Sequence, residues 1–170
     1  MTEISVETVR GLVASQAPQF AHHPFTPVAS GGTDNTIVRL GDKLCVRLPK
    51  RPEAVPQIDK ERIWLPRFKA LPLKTPMPVF NGTPDAAFEH PWGIYEWIEG
   101  TALSQTHVTD WPAAAKAMSG FLLSLQRQDT LGAPRSGAQN HYRGVALIER
   151  DTLTRNAIKG LADLYPAARL

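Results

Sequence analysis

Residues 30–49 read SGGTDNTIVRLGDKLCVRLP, a glycine-rich turn followed by two runs of strand-forming residues. The runs are Thr36–Leu40 and Lys43–Pro49, and only Gly41 and Asp42 separate them. Two such runs joined by a two-residue loop predict a tight antiparallel hairpin. We predict the rest of the fold outward from that hairpin.

A two-residue loop would fix which residues of the hairpin lie opposite each other. Val38 would pair with Cys45 and Thr36 with Arg47, and directly paired residues share a face of the sheet. We therefore expect Val38, Cys45 and Arg47 on one face. The turn of residues 31–35 comes directly before Thr36, so it would lie beside Arg47.

This arrangement could form a phosphate site. A turn of backbone N–H groups beside a guanidinium can hold phosphate oxygens, through oriented amides and a charged fork. Val38 and Cys45 would add a small apolar patch suited to a flat ring. The alternative is a surface hairpin whose arginine points into solvent, and the hairpin alone does not decide between the two.

A helical segment follows at about residues 55–71, and we expect Pro66 to kink it or end it early. Glu61 shares a helix face with Ile58, so it is a carboxylate on the apolar side. A buried carboxylate is costly unless it is paired, and Arg47 is the nearest candidate along the chain. Such a pair would hold the guanidinium under the turn. The alternative is that Glu61 lies solvated at the edge of the helix.

The remaining elements predict an α+β fold, with a sheet followed by helices only. Before the hairpin we expect a helix at 5–16, capped by Ser5, and a short strand at 26–29. After the helical segment we expect an edge strand at 76–80, a turn at Asn81-Gly82, a strand at 92–98, and helices at 111–126 and 145–164.

Composition excludes several classes of protein. The chain has 170 residues, 42% hydrophobic and 21% charged, which is typical of a globular protein. A formal net charge of +3 without a long basic run argues against nucleic acid as a partner. The single cysteine, Cys45, excludes an internal disulfide. No apolar stretch approaches the roughly 20 residues that cross a bilayer, and the N-terminus lacks signal-peptide features. We expect a cytoplasmic protein with no membrane partner.

The order of glycine-rich turn, strand with a basic residue, and helix with a glutamate resembles the small lobe of kinases. Residues 44–47, LCVR, resemble the kinase V-A-I-K strand, with arginine in place of lysine. Residues 30–36 together with 46–49 resemble the aminoglycoside phosphotransferases more specifically. Further familial segments are Lys60-Glu61 with Trp64-Leu65-Pro66, Thr75-Pro76-Met77-Pro78, and Tyr95-Glu96-Trp97-Ile98-Glu99-Gly100. The resemblance covers about residues 28–151.

The resemblance implies a kinase-like nucleotide-binding lobe with its hinge at 1–100, and a linker with the first helices of an incomplete α-helical lobe at 101–170. It implies ATP or GTP as the nucleotide, with Mg²⁺ in the intact enzyme, and a small-molecule acceptor. The implied contacts to nucleotide are Gly31, Gly32, Thr33 and Asn35 over the phosphates; Arg47 on the α- and β-phosphates with Glu61 as its partner; Val38 and Cys45 against the base; Tyr95 at the back of the pocket; and the carbonyl of Glu96 and N–H of Ile98 at the adenine edge.

Phosphoryl transfer also needs a catalytic aspartate, an asparagine and a metal-binding aspartate. None of the five histidines is followed by aspartate two residues on, and no D-F-G or D-x-D triplet occurs. We therefore name no catalytic residue and no metal ligand. We expect a chain truncated before the catalytic loop, with negligible turnover alone. The alternative is a non-catalytic nucleotide-binding or protein-interaction module.

The helix at 111–126 has Asp110 as its cap and Pro112 in its first turn. Its apolar stripe, which would normally be buried, consists of Ala114, Met118, Phe121, Leu122 and Leu125. In a lobe that stands alone the stripe would be exposed, and exposed apolar patches associate. We therefore expect a homo-oligomer formed through this helical surface.

Overall fold

The hairpin strands lie inside a five-stranded antiparallel sheet in the computed structural model, which describes residues 4–29, 32–102, 105–137 and 142–161. The strands are β1 (Phe25–Pro27), β2 (Asn35–Leu40), β3 (Leu44–Pro49), β4 (Pro78–Gly82) and β5 (Trp92–Glu96). Their order in the sheet is β1-β2-β3-β5-β4. β4 is an edge strand, as predicted, and its first residue is a proline, a position that suits a residue without an N–H to donate.

The α-helices of the described residues are α1 (Val6–Gln16), α2 (Val55–Trp64), α3 (Trp111–Gln126) and α4 (Leu147–Gly160). Short 3₁₀ turns lie at Pro18–Phe20, Pro52–Ala54 and Leu65–Phe68. α2 stops at Trp64 because Pro66, in the following turn, has no N–H to continue the helical hydrogen bonds. The prediction that Pro66 ends this helix early is confirmed. Residues 162–164 of the last predicted helix lie outside the described residues.

The hairpin loop has three residues, Gly41, Asp42 and Lys43, rather than the predicted two. The observed pairs are Leu40 with Leu44, Val38 with Val46, Ile37 with Arg47, and Thr36 with Leu48. The predicted register was therefore wrong by one residue. Gly41 has a φ of 64°, a left-handed conformation that glycine adopts without strain. With this loop, Val38 pairs with Val46 and Leu40 with Leu44, so these apolar residues lie opposite each other.

One face of the sheet carries the hydrophobic core and packs against α1. We call it the core face, and its residues are Val38, Leu40, Val46, Leu48, Trp92 and Ile94. Val9, Leu12 and Val13 of α1 join the same cluster and are fully buried. Val38 was expected to share a face with Cys45 and Arg47, and that prediction was wrong, because the shifted register turns it into the core. The opposite face, which we call the α2 face, carries Ile37, Arg39, Cys45, Arg47 and Tyr95.

The predicted turn at Asn81-Gly82 was wrong, because both residues belong to β4. Asn81 lies opposite Gly93 and Gly82 opposite Trp92. A Cβ atom on Gly82 would lie 2.0 Å from Cε2 of Trp92. The glycine is therefore needed for the close approach of an aromatic ring rather than for a turn.

The exposed stripe on α3 is apolar along its whole length. α3 starts after Asp110, whose carboxylate accepts a hydrogen bond from the N–H of Ala113 at 2.9 Å, so the predicted cap is confirmed. No residue of this fully described helix is buried, and Met118, Leu122 and Leu123 are about half exposed. The stripe is thus exposed, as expected for a lone lobe, and its association remains a prediction.

The chain divides into two compact units, residues 1–128 and 129–170. The first unit contains the sheet, α1, α2 and α3, and the second contains α4. The predicted lobe boundary near residue 100 remains a prediction about the family's organisation. Among the described residues, no helix combines the length and apolarity that crossing a bilayer requires.

Candidate functional site

The Arg47–Glu61 ion pair connects β3 to α2. Nη1 of Arg47 lies 3.0 Å from Oε2 of Glu61. The Glu61 side chain is 10% exposed and that of Arg47 is 21% exposed. The predicted pair is confirmed, and the alternative of a solvated glutamate is wrong. Because either partner alone would leave a largely buried charge, the pair fixes the guanidinium against α2.

A cavity of about 280 Å³ lies beside this guanidinium. Its lining residues are Gly32, Thr33, Asp34, Asn35, Ile37 and Arg47. The structure therefore brings the described part of the predicted turn together with the arginine. Gly31, also expected here, lies outside the described residues. Oδ1 of Asn35 is buried and has no hydrogen-bond partner among the described residues.

The two residues after β3 hold the turn in place. The backbone N–H of Lys50 donates to the carbonyl of Asp34 at 2.8 Å, and Nζ of Lys50 donates to the carbonyl of Gly32 at 3.1 Å. Nη2 of Arg51 forms an ion pair with Oδ1 of Asp34. Arg51 thus offsets the charge of Asp34, as Glu61 offsets that of Arg47. Sequence reasoning missed Lys50 and Arg51.

Ile37 occupies the position on the α2 face that was predicted for Val38. It lies opposite Arg47 and lines the cavity. Cys45 is on the same face as expected, two residues before Arg47 on β3. The apolar patch beside the guanidinium therefore consists of Ile37 and Cys45. The alternation of Leu44, Val46 and Leu48 was the sequence signal that could have identified Ile37.

Tyr95 extends the α2 face onto β5. It lies opposite Cys45, and Cζ of Arg47 is 5.3 Å from the centre of its ring. A Cβ on Gly93 would lie 2.7 Å from Cε2 of Tyr95, so the ring covers this glycine. Burial raises the pKa of the Tyr95 hydroxyl, and the negative charge of Glu61 raises it further. The hydroxyl therefore stays neutral and can donate a hydrogen bond throughout the physiological pH range.

With this geometry described, comparison with known proteins is informative. The model of the phosphotransferase enzyme family (APH) matches residues 25–167. The chain belongs to the aminoglycoside phosphotransferase family. No curated protein sequence matched it. The family assignment agrees with the resemblance seen in the turn, the β3 strand and α2.

Solved structures show that this chain has the kinase-like fold. The GDP complex of wild-type aminoglycoside 2'-phosphotransferase-IIIa has a TM-score of 0.75 and 16% identity over 92% of this chain. The GDP and kanamycin complex of APH(2")-IIIa has a TM-score of 0.70 and 16% identity over 89%. The gentamicin complex of APH(2")-IIa has a TM-score of 0.59 and 16% identity over 96%. The chain spans 52%, 50% and 52% of these structures, about half of each.

The segment after β5 is the one predicted to form the hinge, and its role there stays a prediction. The N–H of Glu96 donates to the carbonyl of Met77, and the N–H of Trp97 donates to the carbonyl of Lys43, each at 2.8 Å. The carbonyl of Glu96 and the N–H of Ile98, predicted to contact the base, lie where the chain leaves the sheet. No group of three His, Cys, Asp or Glu that could hold a metal occurs among the described residues.

Arg39 links β2 to the segment after β5. Its Nη2 atom donates to Oε1 of Glu99 at 2.9 Å and to the carbonyl of Asp42 at 2.7 Å. Its Cζ atom lies 4.5 Å from the centre of a ring of Trp97. Sequence reasoning missed this residue, because the wrong register placed it on the other face. Arg39 now lies opposite Cys45, at the hinge end of the α2 face.

Cys45 supplies a prediction about pH. Burial raises the pKa of its thiol from 9.0 to about 11, while the charges of Arg47 and Arg39 lower it by less. Folding disfavours the thiolate. The stability gained by keeping the thiol neutral is therefore complete below pH 9 and is lost as the pH rises through about 11. We expect iodoacetamide to alkylate the native chain appreciably only as the pH approaches 11. In urea the same thiol should react around pH 9; rapid native labelling with that lower midpoint would contradict its burial.

Proposed function

We propose that this chain is the nucleotide-binding portion of a small-molecule phosphotransferase. In the intact enzyme, the γ-phosphate of ATP or GTP is transferred to a hydroxyl group of a small acceptor. Mg²⁺ accompanies the nucleotide and offsets the negative charge of its phosphates. The protein works in the cytoplasm, where both nucleotides are abundant.

The observation that carries this proposal is the cavity between the turn and the buried arginine. Gly32, Thr33 and Asn35 line it together with Arg47, whose guanidinium is held by Glu61. A guanidinium can bind two phosphate oxygens at once, and backbone N–H groups of a turn add oriented donors. We assign the α- and β-phosphates to this cavity.

The base is assigned to the hinge end of the α2 face. Ile37 and Cys45 provide apolar contacts for one side of the base, and Tyr95 closes the pocket at the back. The carbonyl of Glu96 and N–H of Ile98 offer one acceptor and one donor to its edge. Two of the similar structures are GDP complexes, which supports nucleotide binding by this chain.

One observation favours a second candidate, a binding module without catalysis. The 170 residues contain no histidine followed by aspartate two residues on, and no D-F-G or D-x-D triplet. Phosphoryl transfer depends on such residues to position the acceptor hydroxyl and the metal ions. We therefore expect negligible phosphate transfer by this chain alone.

Titration with nucleotide tests the proposal directly. ATP and GTP, each with Mg²⁺, should raise the melting temperature of the chain, because a ligand at about 100–1,000 times its dissociation constant adds about 3–4 kcal/mol of stability. Calorimetry then gives the dissociation constants. No shift at millimolar nucleotide, with correctly folded protein, would exclude nucleotide binding. A kinase assay on this chain with kanamycin and gentamicin checks the expected lack of transfer, and measurable turnover would contradict that expectation as well as the non-catalytic module.

The α3 stripe predicts self-association. Met118, Leu122 and Leu123 expose apolar surface that water disfavours, so we expect a dimer or larger assembly in light scattering. Replacing Leu122 and Met118 by serine should shift the population toward monomer. Replacing the exposed Ser119 by alanine on the same helix is the control and should leave the assembly unchanged. A monomer at high concentration for the unmodified chain would contradict this prediction.

A further inference from the structure

Arg62 follows Glu61 on α2, yet it binds the sheet backbone rather than a side chain of the site. Its Nη2 atom donates to the carbonyl of Gly82 at 2.6 Å and to the carbonyl of Trp92 at 3.0 Å. Its Nη1 atom lies 3.5 Å from Oδ1 of Asp59 on the preceding helical turn. The side chain is only 22% exposed. One guanidinium thus connects α2 to both β4 and β5.

Both acceptors belong to the same corner of the sheet. Gly82 lies opposite Trp92 in the last pair of the β4–β5 ladder. Carbonyl groups at this depth need a donor, since an unpaired buried carbonyl costs about as much as a lost hydrogen bond. Trp92 is fully buried and its ring occupies the space above Gly82, so the corner is a fixed point.

α2 has few other contacts that determine its position. Its only buried residues are Ile58 and Glu61, and its N-terminus has no side-chain cap. One apolar residue does not define the rotation and translation of a ten-residue helix on a sheet. Two charged residues of α2 contact the sheet: Glu61 binds Arg47 on β3, and Arg62 binds β4 and β5.

We propose that Arg62 is a positioning residue for the Arg47–Glu61 pair. By holding α2 at two carbonyls of the β4–β5 corner, it sets the carboxylate of Glu61 against the guanidinium of Arg47. The guanidinium is then oriented toward the phosphate cavity before nucleotide arrives. This inference rests on the proposed function only for its effect on nucleotide affinity; its effect on the ion pair is independent of any ligand.

A purely structural role makes a different prediction. If Arg62 only strengthens the packing of α2, its loss lowers the denaturation midpoint but leaves the nucleotide affinity of the folded protein unchanged. If it positions Glu61, its loss acts through that carboxylate. The effect of Arg62 on affinity should then disappear once Glu61 is removed, which a double-mutant cycle measures.

The first experiment measures ADP binding, with Mg²⁺, by calorimetry well below the melting temperature. We expect Glu61→Gln and Arg62→Met each to weaken binding about tenfold, the factor that corresponds to about 1.4 kcal/mol. The double variant should bind no more weakly than Glu61→Gln alone. Arg62→Lys keeps a donor near the carbonyls and should give an intermediate affinity; it also carries the test should Arg62→Met fail to fold. Arg10→Met is the matched control. Cζ of Arg10 lies 4.5 Å from the centre of the Phe25 ring, and both residues are distant in sequence from Arg47 and Glu61.

The second experiment needs no nucleotide. In protein labelled with ¹⁵N-arginine, the ion pair should slow the exchange of the Arg47 Nη protons with water, so that their NMR signals are observed. The signals are assigned by their absence in Arg47→Lys. We expect them to be lost in Glu61→Gln and in Arg62→Met, weakened in Arg62→Lys, and kept in Arg10→Met. Retention of these signals in the Arg62 variants would overturn the inference, as would additive losses of affinity in the double variant. Absence of binding by the unmodified chain would overturn the proposed function instead, and the signals of Arg47 would still decide the role of Arg62.

Discussion

Replacing Arg47 by methionine is expected to weaken the binding of ATP or ADP, with Mg²⁺, by about 5- to 150-fold, or about 1–3 kcal/mol. The variant loses the charge-assisted donors assigned to the phosphates. It also leaves Glu61, which is 10% exposed, without its cation beside the cavity. An unpaired carboxylate there would repel phosphate, so both effects act in the same direction. Calorimetry at fixed salt measures the change.

Two companion variants make this prediction specific. Arg47→Lys keeps the charge but loses the planar fork, so we expect a smaller loss of affinity. Arg39→Met removes an arginine from the same face of the sheet, at the hinge end, and should affect binding less than Arg47→Met. Unchanged affinity in Arg47→Met, with the protein folded, would remove Arg47 from the phosphate site.

Replacing Gly82 by alanine is expected to lower the free energy of unfolding by about 3 kcal/mol, at the upper end of the cost of overpacking a core. The added Cβ would lie 2.0 Å from Cε2 of Trp92. Because the Trp92 ring is fully buried, it cannot move away without displacing its neighbours. Phe80, whose ring centre is 5.6 Å from that of Trp92, would be displaced with it. Urea denaturation followed by tryptophan fluorescence measures the loss.

Gly120→Ala is the matched control for this change. Gly120 lies within α3, and a Cβ there would meet nothing within 4 Å. Alanine favours a helix over glycine by about 0.5–1 kcal/mol, so we expect this variant to be slightly more stable. Equal effects of the two substitutions would show that the Gly82–Trp92 contact does not constrain the sheet.

The helix starts were predicted well because their signals are local. Ser5 and Asp110 accept hydrogen bonds from N–H groups of the first turns of α1 and α3, as capping residues do. The capping residue and the apolar period that follows it are adjacent in sequence. Both helices therefore have the predicted bounds, apart from Ser5 itself, which is the cap.

The hairpin register was not predicted, because a contact distant in sequence helps to decide it. Val38 and Val46 both lie in the core cluster with residues of α1, and the observed register places them opposite each other. Only the alternation of apolar residues along β3 indicated the true register, and it conflicted with the two-residue loop.

The two arginines near α2 show what sequence can and cannot indicate about the site. Arg47 was predicted because Glu61 is a charge on the apolar side of a helix, and such a charge needs a partner. Arg62 was missed because its acceptors are the carbonyls of Gly82 and Trp92. Every residue has a carbonyl, so a backbone partner leaves no trace in the identity of a side chain.

Because successive side chains of β3 point to opposite faces of the sheet, neighbouring residues of this strand have different roles. Leu44, Val46 and Leu48 lie on the core face, while Cys45 and Arg47 lie on the α2 face. Saturation mutagenesis of this strand should therefore give effects that alternate along the chain. Substitutions at even-numbered residues should reduce the yield of soluble protein, and substitutions at odd-numbered residues should mainly change ligand preference. Residues on the α2 face of this strand could therefore change without altering the packing of the hydrophobic core, because adjacent residues lie on opposite faces of the sheet.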